Sequence, residues 1–274
     1  VIGDIHRRYL EAGADIITTC SFGAQTISQA EYGCRHLVRD MNLAAARIAR
    51  QEADRMTAIT PDRPRYVAGD VGPTAKTLSL AAVVENEAAR GVSFDDMRDA
   101  YYEQCLALIE GGVDALLFET VFDALNAKAA LLAAQEAMAK AGRSVHLMVS
   151  LTIADASGRT LAGQTIEAAL VSLEHARLYS IGLNCSFGAE ALLPYARLLR
   201  QKCTCRVSIH PNAGLPDAMG RYAEASHTMA QTLRALGREG AVNIIGGCCG
   251  TTPEHIRALR MMVDAESACL QKEP

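Results

Sequence analysis

The sequence predicts an α/β fold, a (β/α)8 TIM-type barrel. Short apolar runs alternate with long Ala- and Leu-rich helical patterns, and each run ends in polar or glycine-containing residues, as parallel βα units do. The chain has 274 residues, half of them apolar, which is enough for one large core. An open doubly wound sheet is the alternative, but no Gly-x-Gly-x-x-Gly turn follows the first run.

The alternating pattern assigns each element in turn. The predicted strands are 15–19, 66–70, 114–119, 145–151, 180–184, 206–210 and 242–246. The predicted helices are 29–56, 94–111, 124–140, 166–176, 189–202, 226–237 and 253–265. A further helix begins the chain, because Ile2, Ile5 and Leu10 fall roughly on one helical face. Eight strands close such a barrel, so we expect one domain over residues 1–274 that is N-terminally truncated and lacks its first strand.

Charge and hydropathy exclude several kinds of partner. Lys plus Arg total 27 against 31 Asp plus Glu, with no basic stripe, so we expect neither a nucleic-acid nor a membrane partner. No apolar run approaches the length of a membrane span, and the first residues are charged rather than signal-like. The sequence therefore predicts a cytoplasmic protein.

Nine cysteines in a cytoplasmic protein indicate metal binding or catalysis rather than disulfides. Cys248 and Cys249 lie in the segment 246–255, GGCCGTTPEH, whose glycines permit the turn that would let both thiols face one metal. Cys185 ends the strand two before, and alternate barrel strands direct side chains into one layer. Two other interpretations stay open, namely buried small residues and a vicinal redox pair beneath a phosphate site.

Three thiolates with one replaceable position are typical of a catalytic zinc, whereas structural zinc sites have four protein ligands. Soft sulfur ligands favour zinc over magnesium or calcium. Such a site would bind an incoming thiol as a thiolate and make it a nucleophile at neutral pH.

Several motifs carry a family resemblance. They are GADIITT at 13–19, ETVFDALNAK at 119–128, GRTLAGQ at 158–164, GLNC at 182–185, PNAGLP at 211–216 and the double-cysteine segment. Together they resemble the homocysteine S-methyltransferase family, most of all the homocysteine-binding module of cobalamin-dependent methionine synthases. The resemblance extends over essentially the whole chain in the family's order.

The resemblance implies that Cys185, Cys248 and Cys249 bind zinc and that homocysteine sulfur takes the fourth position. It implies that Asn212 gives zinc an oxygen when substrate is absent, although a turn residue before Gly214 is an equal interpretation. The methyl group would come from methylcobalamin on another module, which makes cobalamin- and folate-binding modules the expected partners. Betaine or S-methylmethionine is the alternative donor. A noncatalytic zinc-stabilised barrel and a phosphate-binding barrel enzyme are the rival functions.

The expected substrate-binding residues are Glu119, Asn184 and Ser21. Glu119 ends an apolar strand, where an unpaired carboxylate is costly to bury, and the matching acid in the family binds the substrate ammonium group. Where the family reads Thr-Asn-Thr-Phe, residues 19–22 read TCSF, which keeps the hydroxyl at Ser21. We expect Cys203 and Cys205 to lie away from the reactive end, and His210 to be a core or supporting residue rather than a ligand.

Overall fold

The computed structural model describes residues 1–79 and 91–270, which contain one parallel sheet. Its seven strands pair in chain order, with β1 and β7 at the edges. They are β1 (Ile16–Thr18), β2 (Tyr66–Val71), β3 (Ala115–Val121), β4 (His146–Leu151), β5 (Ser180–Gly188), β6 (Arg206–Asn212) and β7 (Ile244–Ile245). All seven predicted strands are present, so the predicted α/β fold is confirmed.

Helices separate the strands along the chain. They are α1 (Ile2–Glu11), α2 (Thr26–Ala30), α3 (Val38–Ile59), α4 (Phe94–Glu110), α5 (Ala124–Ala141), α6 (Ile166–Leu173), α7 (Ala189–Lys202), α8 (Ser226–Arg238) and α9 (Pro253–Leu270). Local sequence explains their ends: a capping box of Ser93 and Asp96 begins α4, and Gly142 in a left-handed conformation ends α5. Within the described ranges, no helix has both the length and the apolar character that crossing a membrane requires.

The helix predicted at the start of the chain is confirmed as α1, whereas the helix predicted at 29–56 was wrong. The single helix predicted at 29–56 is divided into α2 and α3, because Gly33 has a φ of 67° and turns the chain between them. In α1 the buried face is formed by His6 and Leu10, whereas Ile2 and Ile5 are exposed.

The sheet curls until the segments beside its two edge strands, β1 and β7, are in contact. The Tyr9 hydroxyl, on α1, donates a hydrogen bond to the carbonyl of Thr251, 2.9 Å away. Arg260 on α9 pairs with Asp15, the residue before β1, at 3.0 Å. These contacts join elements that flank opposite edges of the sheet, which is the curvature expected of a TIM-type barrel.

Strand residues alternate between two buried faces. The face packed against the helices is apolar and includes Val67, Leu116, Val149, Ile181 and Val207. The inner face starts with a small apolar cluster of Ala68, Ala115, Leu117 and Met148. Further along the same strands the two-residue period brings polar side chains, including Asp70, Glu119, Ser150 and Asn184, to the inner face. The carboxyl ends of the strands therefore enclose a polar interior.

Candidate metal and substrate site

Three cysteine sulfurs meet at the carboxyl ends of β5 and β7. The Sγ of Cys185 lies 3.7 Å from that of Cys249, and the Sγ atoms of Cys248 and Cys249 are 3.9 Å apart. All three sulfurs lie within 4.8 Å of one another and are half-buried. Over residues 1–79 and 91–270, no other group of three or more His, Cys, Asp or Glu side chains is placed to bind a metal ion.

A distortion of the β5 backbone determines the direction of the Cys185 side chain. The pairing of β5 with β6 shifts register between Asn184 and Gly188, and both Cys185 and Ser186 are left-handed, with φ values of 62° and 61°. A left-handed residue other than glycine costs roughly 1 kcal/mol or more, and such strain is concentrated at functional sites. The bulge turns the side chain of Cys185 away from the regular alternation and toward the loop that follows β7.

The double-cysteine turn is held against β6 by backbone hydrogen bonds. The N–H of Cys248 donates to the carbonyl of Pro211 at 2.8 Å, and the N–H of Ala213 donates to the carbonyl of Cys249 at 2.9 Å. The N–H of Cys249 donates to Oδ1 of Asn212 at 3.1 Å. Adjacent residues can thus direct both sulfurs to one point because the chain here is a clamped turn rather than a strand.

Neighbouring groups and burial shift the pKa values of the three cysteine thiols. Interaction with the Cys248 thiol, together with the backbone of Ser186, lowers the pKa of Cys185 to about 5. The same interaction and burial raise the pKa of Cys248 well above its usual value. Burial and the neighbouring Cys185 also raise the pKa of Cys249. Cys185 is therefore the most acidic of the three thiols, and a cation bound by all three would favour deprotonation of the other two.

Asn184 supports the cysteine cluster. Its side-chain amide donates to the Thr120 hydroxyl at 2.9 Å and to the sulfur of Cys248 at 3.8 Å. Its Oδ1 accepts from the N–H of Thr120 at 2.9 Å. These bonds fix the left-handed Thr120, which follows Glu119 in a bulge of β3. The structure shows this supporting role, and the predicted contact of Asn184 with substrate stays a prediction.

Glu119 is paired with a second acid. It lies half-buried on the inner face of β3, close enough to Asp70 on β2 for its charge to affect that carboxyl group. Burial raises the pKa of both carboxyl groups, and for Asp70 the proximity of Glu119 raises it further. The charge of the nearby Cys185 also raises the pKa of Glu119. Two acids and three sulfurs thus face one polar interior.

The buried hydroxyl of Ser21 is engaged within the protein. It donates to the backbone carbonyl of Asp70 at 2.7 Å and lies 2.6 Å from the Thr19 hydroxyl. This arrangement ties the loop after β1 to the end of β2. Substrate contact by Ser21 stays a prediction.

Sequence reasoning left three residues of the site without a role. Asp70 was visible as a strand end, but its pairing with Glu119 was not. Thr120 and Tyr222 carried no sequence signal: the first lies in a bulge, and the second lies in the loop after β6, where burial and the neighbouring Cys249 raise the pKa of its hydroxyl. A Cβ on Gly250, whose φ is 77°, would lie 2.3 Å from the Tyr222 side chain, so this turn requires glycine.

The remaining candidates lie outside the cluster of sulfurs. Cys203 and Cys205 are at the opposite end of β6, as predicted, and the Cys203 thiol contacts the carbonyl of Cys205. Burial lowers the pKa of His210 to about 4, so its imidazole is neutral at pH 7. It packs against Gly246 rather than among the three sulfurs.

His255 links the cysteine turn to the neighbouring loop. Its Nδ1 accepts from the Thr252 hydroxyl at 3.0 Å, and its Nε2 donates to the carbonyl of Glu224 at 3.0 Å. Replacing the buried His255 with alanine removes two hydrogen bonds, each worth about 0.5–1.5 kcal/mol, so we expect the free energy of unfolding to fall by about 1–3 kcal/mol. Urea denaturation measures it, with the exposed His227→Ala as the control. Equal stability of the two variants would contradict this role for His255.

Comparison with known proteins identifies relatives over most of this chain. A family model described as homocysteine S-methyltransferase matches residues 1–263. The metallated form of the Escherichia coli homocysteine methyltransferase MmuM superposes with a TM-score of 0.73 at 21% identity, covering 94% of this chain and 83% of that one. Its oxidized form gives a TM-score of 0.75 at 21% identity, covering 95% and 83%. At this identity the two structures establish a shared fold.

Proposed function

Since the chain belongs to the homocysteine S-methyltransferase family, we propose that it methylates the sulfur of homocysteine to give methionine at the Cys185, Cys248 and Cys249 cluster. The observation that carries this proposal is the convergence of the three sulfurs within 4.8 Å, although they come from two separate strand ends. Residues 1–274 would form one catalytic domain. Its fold would be a (β/α)8 barrel in which an eighth strand lies between β7 and β1.

The donor set fits zinc. Three sulfurs at mutual distances below 4.8 Å suit a soft cation and leave one position of a tetrahedral site for an outside ligand. Zinc held there would lower the pKa of a bound thiol while keeping its sulfur nucleophilic. The thiolate of Cys185 supplies the first negative charge, and the hydrogen bond from Asn184 orients Cys248. Asn212, already hydrogen-bonded to Cys249, would offer its amide oxygen in the absence of substrate.

The acids on β2 and β3 suit the other end of an amino-acid substrate. Glu119 would bind the ammonium group, since a half-buried carboxylate gains most from a cationic partner. Ser21 and Asn184 would complete this part of the site. The transfer itself forms one S–C bond as the donor–C bond breaks, and the proton of the thiol is released. The residues of the chain contribute by fixing the sulfur and the ammonium group relative to the donor.

We further propose methylcobalamin, presented by a separate cobalamin-binding module and regenerated from folate, as the methyl donor. The motif likeness to cobalamin-dependent methionine synthases supports this choice. S-methylmethionine and betaine are the alternative donors. All described cysteines are free thiols, which suits a reducing compartment such as the cytoplasm.

The test combines metal analysis with donor selection. We expect one zinc per chain, release of a proton when homocysteine is added, and methionine formation with methylcobalamin but not with betaine or S-methylmethionine. A zinc site that neither changes its ligands nor releases a proton would indicate the noncatalytic barrel. A protein without zinc would exclude the proposed chemistry. Methionine formed from another donor would retain the proposed reaction and correct the donor.

Glu119→Gln should weaken homocysteine use without removing the metal. Loss of a charge-assisted hydrogen bond to the ammonium group costs about 1.5–3 kcal/mol, so kcat/KM for homocysteine should fall by roughly 10- to 100-fold. Steady-state kinetics measure this change, and zinc content should stay at the wild-type value. The exposed Glu31→Gln is the control. Wild-type kinetics in the Glu119 variant would remove this residue from the substrate site.

A further inference from the structure

Asp70 has a buried carboxyl oxygen that no described residue of the protein satisfies. Its side chain is 6% exposed, and its Oδ1 has no hydrogen-bond partner among residues 1–79 and 91–270. A buried acceptor left unpaired costs free energy, so such atoms are rare unless a ligand or solvent completes them. The atom therefore indicates an interaction that residues 1–79 and 91–270 do not provide among themselves.

The position of Asp70 says where that ligand would lie. Asp70 pairs in register with Leu117, two residues before Glu119, and the period of two puts both acids on the inner face of neighbouring strands. Their carboxyl groups lie close enough for the charge of Glu119 to raise the pKa of Asp70. Glu119 in turn lies close enough to Cys185 for that sulfur to affect its charge. The unpaired oxygen thus belongs to the same interior as the three sulfurs.

The local charges determine which ligand would suit the pair. Burial raises the pKa of both acids, the charge of Glu119 raises that of Asp70 further, and the charge of Cys185 raises that of Glu119. Burial next to like charge disfavours two ionised carboxylates and makes a cation with N–H donors the most favourable partner. A primary ammonium group has three such donors, enough to bond to both acids.

We propose that Asp70 is a second carboxylate of the ammonium-binding site and, with Glu119, restricts the thiol substrate to one carrying a primary ammonium group. This inference rests on the proposed function, because it places Asp70 beside the homocysteine thiol. Asp70 would act as a specificity-determining residue: it distinguishes aminothiols from thiols of the same length that lack the amine. Its unpaired oxygen is then a binding feature maintained at a cost in stability.

The test compares two thiols and two variants. Homocysteine and 4-mercaptobutanoate share the thiol and the carboxylate, but only homocysteine has the ammonium group. In calorimetric titrations of the zinc-loaded protein, Asp70→Asn should weaken homocysteine binding about tenfold or more and leave 4-mercaptobutanoate binding unchanged. Ser150→Ala is the matched control, since Ser150 also lies on the inner face with a buried, unpartnered Oγ. It should bind both thiols as the wild type does.

A stability measurement separates binding from a structural role. The pKa of Asp70 is raised in the folded protein, so its ionisation opposes folding above the pKa of the unfolded chain. Asp70→Asn removes that ionisation and should leave the Tm at pH 7 unchanged or higher. A lower Tm, or equal weakening of both thiols, would assign Asp70 to packing and overturn the inference.

Failure of the inference can be told from failure of the proposed function. Unchanged homocysteine affinity in Asp70→Asn, with a wild type that binds and methylates homocysteine, would overturn the role of Asp70 alone. A wild type that binds neither thiol would overturn the proposed function and this inference with it.

Discussion

Replacing Cys248 with alanine is expected to abolish stoichiometric zinc binding and to lower methionine formation by roughly a thousandfold or more, about 4 kcal/mol of transition-state stabilisation. Cys248 contributes one of three sulfurs, and it is also the largest cause of the lowered pKa of Cys185. Two thiols left half-buried make a weaker and less defined metal site. Elemental analysis after dialysis gives the zinc content, and conversion of homocysteine to methionine gives the activity.

The matched control is Cys34→Ala. Cys34 is a half-buried free thiol in the turn between α2 and α3, distant in sequence from each of the three cysteines. Its replacement should leave zinc content and activity at wild-type values. If the Cys248 variant keeps one zinc per chain, the three-sulfur site is wrong. Loss of activity with metal retained would instead place Cys248 in substrate binding.

Gly182→Ala is expected to give the largest loss of stability. A Cβ at Gly182 would lie 2.0 Å from the Oγ and 2.2 Å from the carbonyl oxygen of Ser208 on β6. A rotamer change can move the hydroxyl but not the carbonyl, so β5 and β6 must separate. We expect a loss of about 3 kcal/mol or more in the free energy of unfolding. The shift would also displace Cys185, three residues further along β5, so zinc affinity should fall with stability.

Gly237→Ala is the control, because the added Cβ meets no steric clash there. Gly237 lies in α8, and apart from its chain neighbours and the backbone of the helix itself, no atom of the described residues lies within 4 Å of the added Cβ. Alanine is favoured over glycine in a helix, so this variant should gain about 0.5–1 kcal/mol. Urea denaturation of both variants measures the difference. A Gly182 variant as stable as wild type would show that the close approach of β5 and β6 is not required.

The order of the elements could be predicted from the sequence. Apolar runs bounded by turn residues predicted all seven strands, because a parallel strand covered on both faces is largely apolar. The helix predicted at 29–56 was wrong since the pattern continues through Gly33, where the backbone turns. Periodicity reports which residues are apolar, and it is less sensitive to a break within an amphipathic stretch.

The identity of the three sulfurs and of Glu119 came from the sequence alone, because motif spacing and strand ends are local properties of the chain. Their geometry was decided only by the tertiary structure. Bulges at Glu119–Thr120 and at Cys185 turn side chains away from the regular alternation, and hydrogen bonds from Asn184 and Asn212 fix the cysteine turn. The pairing of Asp70 with Glu119 was likewise not visible along the chain. Such pairings join residues that are distant in sequence and exist only once neighbouring strands are in register, so no local pattern encodes them.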